Sequence, residues 1–334
     1  MKKPNGLHKH RAEKREKEKV RHTARTLKQA VETIEELEEE LQAARRLQSR
    51  NTSLVIHPRR SSKTSEATAV ALFTDLHIGN TITLAQTNGI NEYNTAIARK
   101  RAATFFERVV RLTDKERQDV HIEELVLFLG GDFIDGTLHM DVIQTNNPAT
   151  PMEQAVIAQD IIEAGLMYLE KHGNFKRITI VCKDGNHGRV SVKMHWNSRI
   201  GNSLEWFLFY NLARRYPQFN WIVDESFLSY LKIYDWVFRF HHGDRIYFGG
   251  QNGFYSNYHI LISSDNASVV ADFDVTGHLH QYTTTRRYVV NGSVVGYSPY
   301  GMASRSFMKG EPATQAFFLV DKKRRITVNI PILL

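Results

Sequence analysis

One cysteine occurs among the 334 residues, and that scarcity removes a class of chemistry. Cys182 closes the apolar run "RITIVC", where it reads as a small core hydrophobe. A disulfide framework and a cysteine-rich zinc site are both excluded. Any metal must be held by His, Asp, Glu or Asn. No stretch approaches the roughly twenty apolar residues that span a bilayer, and the first residues lack the apolar core of a signal peptide. An intracellular, cytoplasmic protein is expected, of a compactness that suits a bacterium or its virus. Internal repeats are lacking too, and so is any charge excess beyond the amino-terminal arm. The first 28 residues hold eleven Lys and Arg against three Glu, while the remainder balances at 33 of each sign. The net charge of +8 therefore belongs to that arm. Such an arm can engage phosphate backbones or simply form a solvated charged helix.

What is present falls into two patterns. After the arm, Leu27, Ala30, Ile34, Leu37, Leu41 and Ala44 step by threes and fours, the stripe of an amphipathic helix. Three unbroken heptads fit either a short coiled coil, which would pair two chains through residues 27–48, or a helix folded on the chain's own body. The polar stretch "HPRRSSKTSEAT" reads as a linker, giving a helical arm over 1–50, a linker over 51–66 and a body over 67–334. In the body, apolar runs alternate with helical stretches. "ATAVALFT", "EELVLFLGGD" and "RITIVC" read as buried strands, "NTAIARKRAATFFERVVRLTDK", "MEQAVIAQDIIEAGLMYLEKHG" and "SRIGNSLEWFLFYNLARRY" as helices. Strand segments dominate the second half: "FNWIVD", "YLKIYDWVFRFHHGD", "SVVADFDVTGH", "TTTRRYVVN", "VVGYS" and "QAFFLVDKKRRITVNIPIL". An α/β domain with helix-covered sheets is expected.

Polar residues gather where these runs end. "TDLHIGN" supplies Asp75 and His77, "GGDFIDG" supplies Asp132 and Asp135, and "DGNHGR" supplies Asn186 and His187. "FHHGDR" adds His241 and His242, and "VTGHLHQ" adds His278 and His280. In open α/β sheets such groups collect outside the carboxyl ends of the strands, so the five clusters are expected to form one site. Imidazole and carboxylate without thiolate suit Mn, Fe or Zn better than Ca or Mg. Seven good ligands exceed the needs of one ion and fit two, roughly 3.5–4 Å apart across a shared carboxylate, an arrangement suited to phosphoryl chemistry.

In this order, "DLH", "GDFID", "GNH", "HGD" and "GHLH" resemble the motifs of the calcineurin-like metallophosphoesterase family, over roughly Ala67 to Leu334. The resemblance implies a four-layer αββα sandwich preceded by the helical extension. It also implies that Asp75, His77 and His280 hold one metal, that Asp132 bridges, and that Asn186, His242 and His278 hold the second. His187 would face the scissile phosphate and either protonate the leaving oxygen or stabilise developing charge. Asp135 would orient a ligand His from behind. His242 is preferred to His241 because it directly precedes "GD", and neighbouring strand residues point to opposite faces; Asp244 reads as a turn residue. Two departures bear on substrate. Gly188 and Arg189 follow Gly-Asn-His where an acidic residue is common, and Arg189 could reach a phosphate oxygen. Gly136 stands where the Ser/Thr phosphatase branch has Arg, which turns the comparison toward the nuclease subunits of DNA repair and small phosphodiesterases. The arm, the heptads and the late residues Tyr297, Tyr300, Arg305, Phe307 and Lys309 favour nucleic acid, DNA first. The competing readings are a phosphatase or small-nucleotide phosphodiesterase, and a nonenzymatic scaffold on the same fold.

Overall fold

The structure is a computed structural model, and its described residues are 6–48, 65–138, 149–193, 201–246, 253–299, 301 and 310–334. The chain divides into two units, residues 1–60 and 61–334. In the first, α1 (Gly6–Gln48) is one unbroken helix. Val20, Leu27, Val31, Ile34 and Leu37 on it are all exposed. The second unit is built on two mixed sheets.

The first sheet has the order β11-β10-β1-β2-β3-β4. It comprises β1 (Glu66–Phe73), β2 (His121–Leu129), β3 (Arg177–Cys182), β4 (Asn220–Ile222), β10 (Thr314–Asp321) and β11 (Arg325–Leu333). The second, β5-β6-β7-β9-β8, comprises β5 (Ser229–Ile233), β6 (Trp236–Phe240), β7 (Phe273–Thr276), β8 (Thr283–Thr284) and β9 (Tyr288–Val290). Between the sheets lies a dry layer in which Val70, Leu72 and Phe318 meet Phe238, Phe273 and Val275. The strands β1, β2 and β3 at the middle of the first sheet are buried on both faces over most of their length, so they read as continuous apolar runs and not as an alternation.

Three helices cover the outer face of the first sheet: α2 (Thr95–Glu116), α3 (Pro151–His172) and α4 (Leu204–Arg215). Each starts at a residue suited to its exposed N–H groups. Asn94 accepts from Ile97 N, Thr150 forms a capping box with Glu153 ahead of Pro151, and Ser203 accepts from Glu205 N. Their apolar faces meet the sheet around Phe73, whose ring stacks on Phe105 at 4.8 Å. The fourth layer is α5 (Gly253–Asp265), which covers the second sheet through Tyr258 and Ile262 against Tyr288 and Val290. The order helix, sheet, sheet, helix is the expected αββα sandwich.

Several local expectations need correction. "YLKIYDWVFRF" is a hairpin, not one strand, because Tyr234 adopts φ 55° and turns the chain between Ile233 and Trp236; a primed-type turn needs positive φ, and no Gly or Asn announced it. "VVGYS" forms no strand: Val294 N bonds to the carbonyl of Asp75 and ties the loop to the site. The helix expected from Ser198 begins at Leu204, after its Ser203 cap. α5 has no counterpart among the expected elements, because its apolar residues follow no clear helical stripe. No described helix is long and apolar enough to cross a membrane.

Candidate metal centre

Strand register brings the polar clusters to one edge. β1, β2 and β3 are parallel, with Phe73 beside Leu129 and Leu129 beside Cys182, so their carboxyl ends stop at one level. Asp75, Asp132 and Asn186 follow two, three and four residues later. In the second sheet β6, β7 and β9 are also parallel, which brings His242 and His278 to its corresponding edge. The two edges are stitched together. His242 Nδ1 lies 2.7 Å from the Gly130 carbonyl, and His278 N donates to the Asp75 carboxylate at 3.1 Å.

The approach of the first-sheet loops depends on glycine at two places. Gly131 has φ 90°, and a Cβ there would overlap the backbone of Gly185; a Cβ on Gly185 would overlap Asp132. Backbone strain continues into the functional residues themselves. Asp75, His77, Asp132, His278 and His280 all have φ between 47° and 70°. Non-glycine residues rarely occupy this region, Asp and His more readily than most, and such strain concentrates at functional sites.

Among the described residues three donor groups result: Asp75, His77 and His280; His77, Asp132 and His187; and Asp132, His242 and His278. Asp75, His77, Asp132, Asn186 and His242 are buried, whereas the side chains of His187, His278 and His280 keep 17%, 20% and 26% exposure. The site thus has a buried floor and a rim of three partly exposed histidines. Donor atoms face one another closely. His77 Nε2 lies 3.0 Å from His280 Nε2, His242 Nε2 lies 3.0 Å from Asp132 Oδ2 and 3.2 Å from Asn186 Oδ1, and His280 Nε2 lies 3.4 Å from Asp75 Oδ1. Two ligands about 2.1 Å from a common ion at right angles stand about 3 Å apart. The residues present therefore have the chemistry and spacing of metal donors, with Asp75, His77 and His280 in one group, Asp132, His242 and His278 in another, and Asn186 Oδ1 beside His242.

Burial alone would lower the His77 imidazole, but its bond to Asp135 and the charge of Asp132 outweigh it and raise the group to about 9. Burial is likewise overcome at His242, which the Asp132 carboxylate raises to about 10. In return, the Asp132 carboxyl is held well below the usual range despite its burial, by His242 and His187. Burial also opposes ionisation of Asp75, and His280 and His242 again prevail.

Residues behind the donors fix their orientation. Asp135 Oδ1 lies 3.1 Å from His77 Nδ1, leaving Nε2 toward the centre. Replacing Asp135 by Asn removes a charged acceptor and is expected to weaken Mn binding roughly 10- to 100-fold with little change in fold, as read by calorimetric titration. His187 Nδ1 is 2.8 Å from the Asp135 carbonyl, so it is Nε2 that faces the opening. His241 points the other way, toward Tyr258 and Asp274, and burial with the charges of Arg245 and Arg239 lowers its imidazole to about 3. Arg189 donates to the carbonyls of Asn186 and Ser191, holding the Gly-Asn-His loop from behind. Tyr300, Arg305, Phe307 and Lys309 lie outside the described residues; the Tyr297 carbonyl accepts from Asn91.

Sequence reasoning missed two supports. Under Asp75, Thr74 Oγ1 donates to the carboxylate and accepts from Asn291 Nδ2, and Asn291 and the Thr74 N–H both bond Gln315 Oε1 at 2.9 Å. Under Asp132 lies the buried carboxylate of Glu205, which burial and the Asp132 charge push up to about 7. Its signal was present: Glu205 opens the buried stripe Glu205, Leu208, Phe209 and Leu212, a carboxylate where helical spacing calls for an apolar residue.

No family model and no curated protein matches the chain. Among solved structures it is similar to vacuolar protein sorting 29 from Cryptosporidium parvum, with 11% identity and a TM-score of 0.35 over 80% of this chain and 100% of that one. It is also similar to Vps29 from Entamoeba histolytica in complex with zinc, at 11% identity and a TM-score of 0.33 over 79% and 99%. A Streptococcus pneumoniae protein described as a predicted phosphoesterase aligns at 10% identity and a TM-score of 0.29 over 79% and 97%. The body itself is a four-layer αββα sandwich with Asp, Asn and His residues gathered where its strands end.

Proposed function

We propose that this chain is a metal-dependent phosphoesterase that hydrolyses phosphodiester bonds of nucleic acid, DNA first, with two divalent ions of which Mn is the favoured identity and Fe or Zn the alternatives. The observation that carries the reading is the pair of Asp/His groups meeting at Asp132 on the joined edges of two sheets. A scaffold protein has no need to keep that many strained, buried titratable residues around one point. When bound, the ions supply positive charge to a phosphoryl group and acidify water.

The chain's own residues do the rest. Asp75 and Asp132 set the charge of the floor, and neutral Asn186 offers an oxygen without adding to it. His187, with Nδ1 engaged by the Asp135 carbonyl, presents Nε2 at the rim, where a protonated imidazole can hand its proton to the departing oxygen. The basic arm supplies sequence-independent attraction to a phosphate backbone. The exposed stripe on α1 fits a second copy of the same helix, which would place two catalytic bodies on one substrate.

Leaving-group chemistry tests the role of His187. Deoxyribose oxygen is a poor leaving group and needs a proton, whereas nitrophenolate does not. His187→Ala is expected to slow cleavage of end-labelled DNA roughly a hundredfold while slowing bis(p-nitrophenyl) phosphate hydrolysis much less. Equal losses on both would assign His187 to charge stabilisation. Wild-type hydrolysis of the chromogenic ester with DNA left intact would move the substrate class to small phosphodiesters.

A further inference from the structure

Glu205 stands on α4, outside every strand-end motif, yet its carboxylate reaches beneath two of them. Oε1 accepts from Phe133 N at 2.5 Å and Ile134 N at 3.3 Å; Oε2 accepts from Gly185 N at 2.6 Å and Asp132 N at 3.2 Å. One side chain therefore satisfies four buried backbone donors on two separate loops. Buried N–H groups must find acceptors, and this carboxylate serves donors of both loops at once. The surroundings are shaped for it. A Cβ on Gly188 would come within 2.7 Å of Glu205 Cγ, so the second glycine of Gly-Asn-His-Gly makes room for this side chain. Leu204 N donates to the Gly188 carbonyl at 2.9 Å, and Arg189 pairs with Ser203, which fixes the start of α4 against the same loop.

We propose that Glu205 is a positioning residue that sets the separation of the Asp132 loop from the Asn186–His187 loop, and with it the span between the bridging carboxylate and the second metal site. It touches neither substrate nor ion. The inference deepens the proposed function and rests on it for its catalytic consequence, but the tie itself is a property of the metal-free chain.

Glu205→Gln keeps the shape and replaces one acceptor oxygen with an NH2 group. Whichever way the amide turns, two of the four N–H groups, either those of Asp132 and Gly185 or those of Phe133 and Ile134, lose their partner. Residue-resolved hydrogen exchange on the metal-free protein is expected to show one of these pairs exchanging roughly tenfold faster or more, with the amides of α2 and β3 unchanged. Mn affinity is expected to fall roughly 10- to 100-fold, and kcat on bis(p-nitrophenyl) phosphate to fall with KM within about twofold. Glu205→Asp, which keeps both oxygens on a shorter arm, is expected to recover part of each. Exchange at the wild-type rate at all four amides, or acceleration no greater than that of the whole protein, overturns the proposal. Local acceleration in a protein whose wild type neither binds Mn nor hydrolyses the ester supports the tie and overturns the phosphoesterase reading instead.

Discussion

Asp132→Asn is expected to reduce kcat/KM on phosphodiesters by roughly 10³-fold or more, while leaving the fold intact. Asp132 is buried between the two donor groups, with Oδ2 3.0 Å from His242 Nε2 and 4.0 Å from His278 Nδ1, and Oδ1 accepting from His187 N at 2.9 Å. An amide has one acceptor oxygen and no charge, so it cannot serve two cations at once. Each factor of ten in rate is about 1.4 kcal/mol of lost stabilisation, and two clamped cations supply several such increments. The backbone tolerates the change, because φ 53° at position 132 suits Asn as well as Asp. Steady-state hydrolysis and Mn stoichiometry check the result together. A variant within tenfold of wild type would remove Asp132 from the bridging role.

In chelator, the protein is expected to lose thermal stability as the pH rises from 6.5 to 10, and saturating Mn is expected to abolish most of that loss. The sign follows from the direction of the shifts. His77 and His242 are raised to about 9 and about 10 in the folded, metal-free chain, against 6.5 for an ordinary imidazole. A raised histidine contributes stability that is fully present below the unfolded value and disappears as the pH passes the folded one. At about 1.4 kcal/mol for each unit of pKa difference, the two groups together are worth on the order of several kcal/mol at pH 6.5. Bound ions need the same imidazoles neutral, so they replace the protons and close the window. Melting temperatures across this pH range, in chelator and in Mn, check it; a chelated protein whose melting temperature rises toward pH 10 would contradict the arrangement of charges described.

The parts of this molecule that were legible in the sequence are those in which burial dictates composition. β3 is an example: "RITIVC" had to be a strand because it is short, apolar and β-branched, and its polar successors had to sit at its carboxyl end. What escaped was anything set by distant neighbours. Glu205 stands out in the sequence only as a carboxylate in an apolar stripe, and the two loops it serves are not readable until they are folded over it. Thr74, Asn291 and Gln315 are unremarkable polar residues until three strands bring them beneath Asp75. The left-handed conformations of Asp75, His77 and Asp132 leave no trace in composition, because Asp and His are also simply the residues that bind metals. Tyr234 hid a hairpin for a related reason: its positive φ is imposed by the pairing of β5 with β6, not announced by a glycine.

The most direct test is anomalous diffraction from crystals of the Mn-loaded protein, collected on both sides of the Mn edge. Two peaks roughly 3.5–4 Å apart are expected, with Asp132 between them, one peak beside Asp75, His77 and His280 and the other beside Asn186, His242 and His278. A single peak, or ions bound elsewhere with these side chains unengaged, would contradict the two-metal centre on which the proposed function stands.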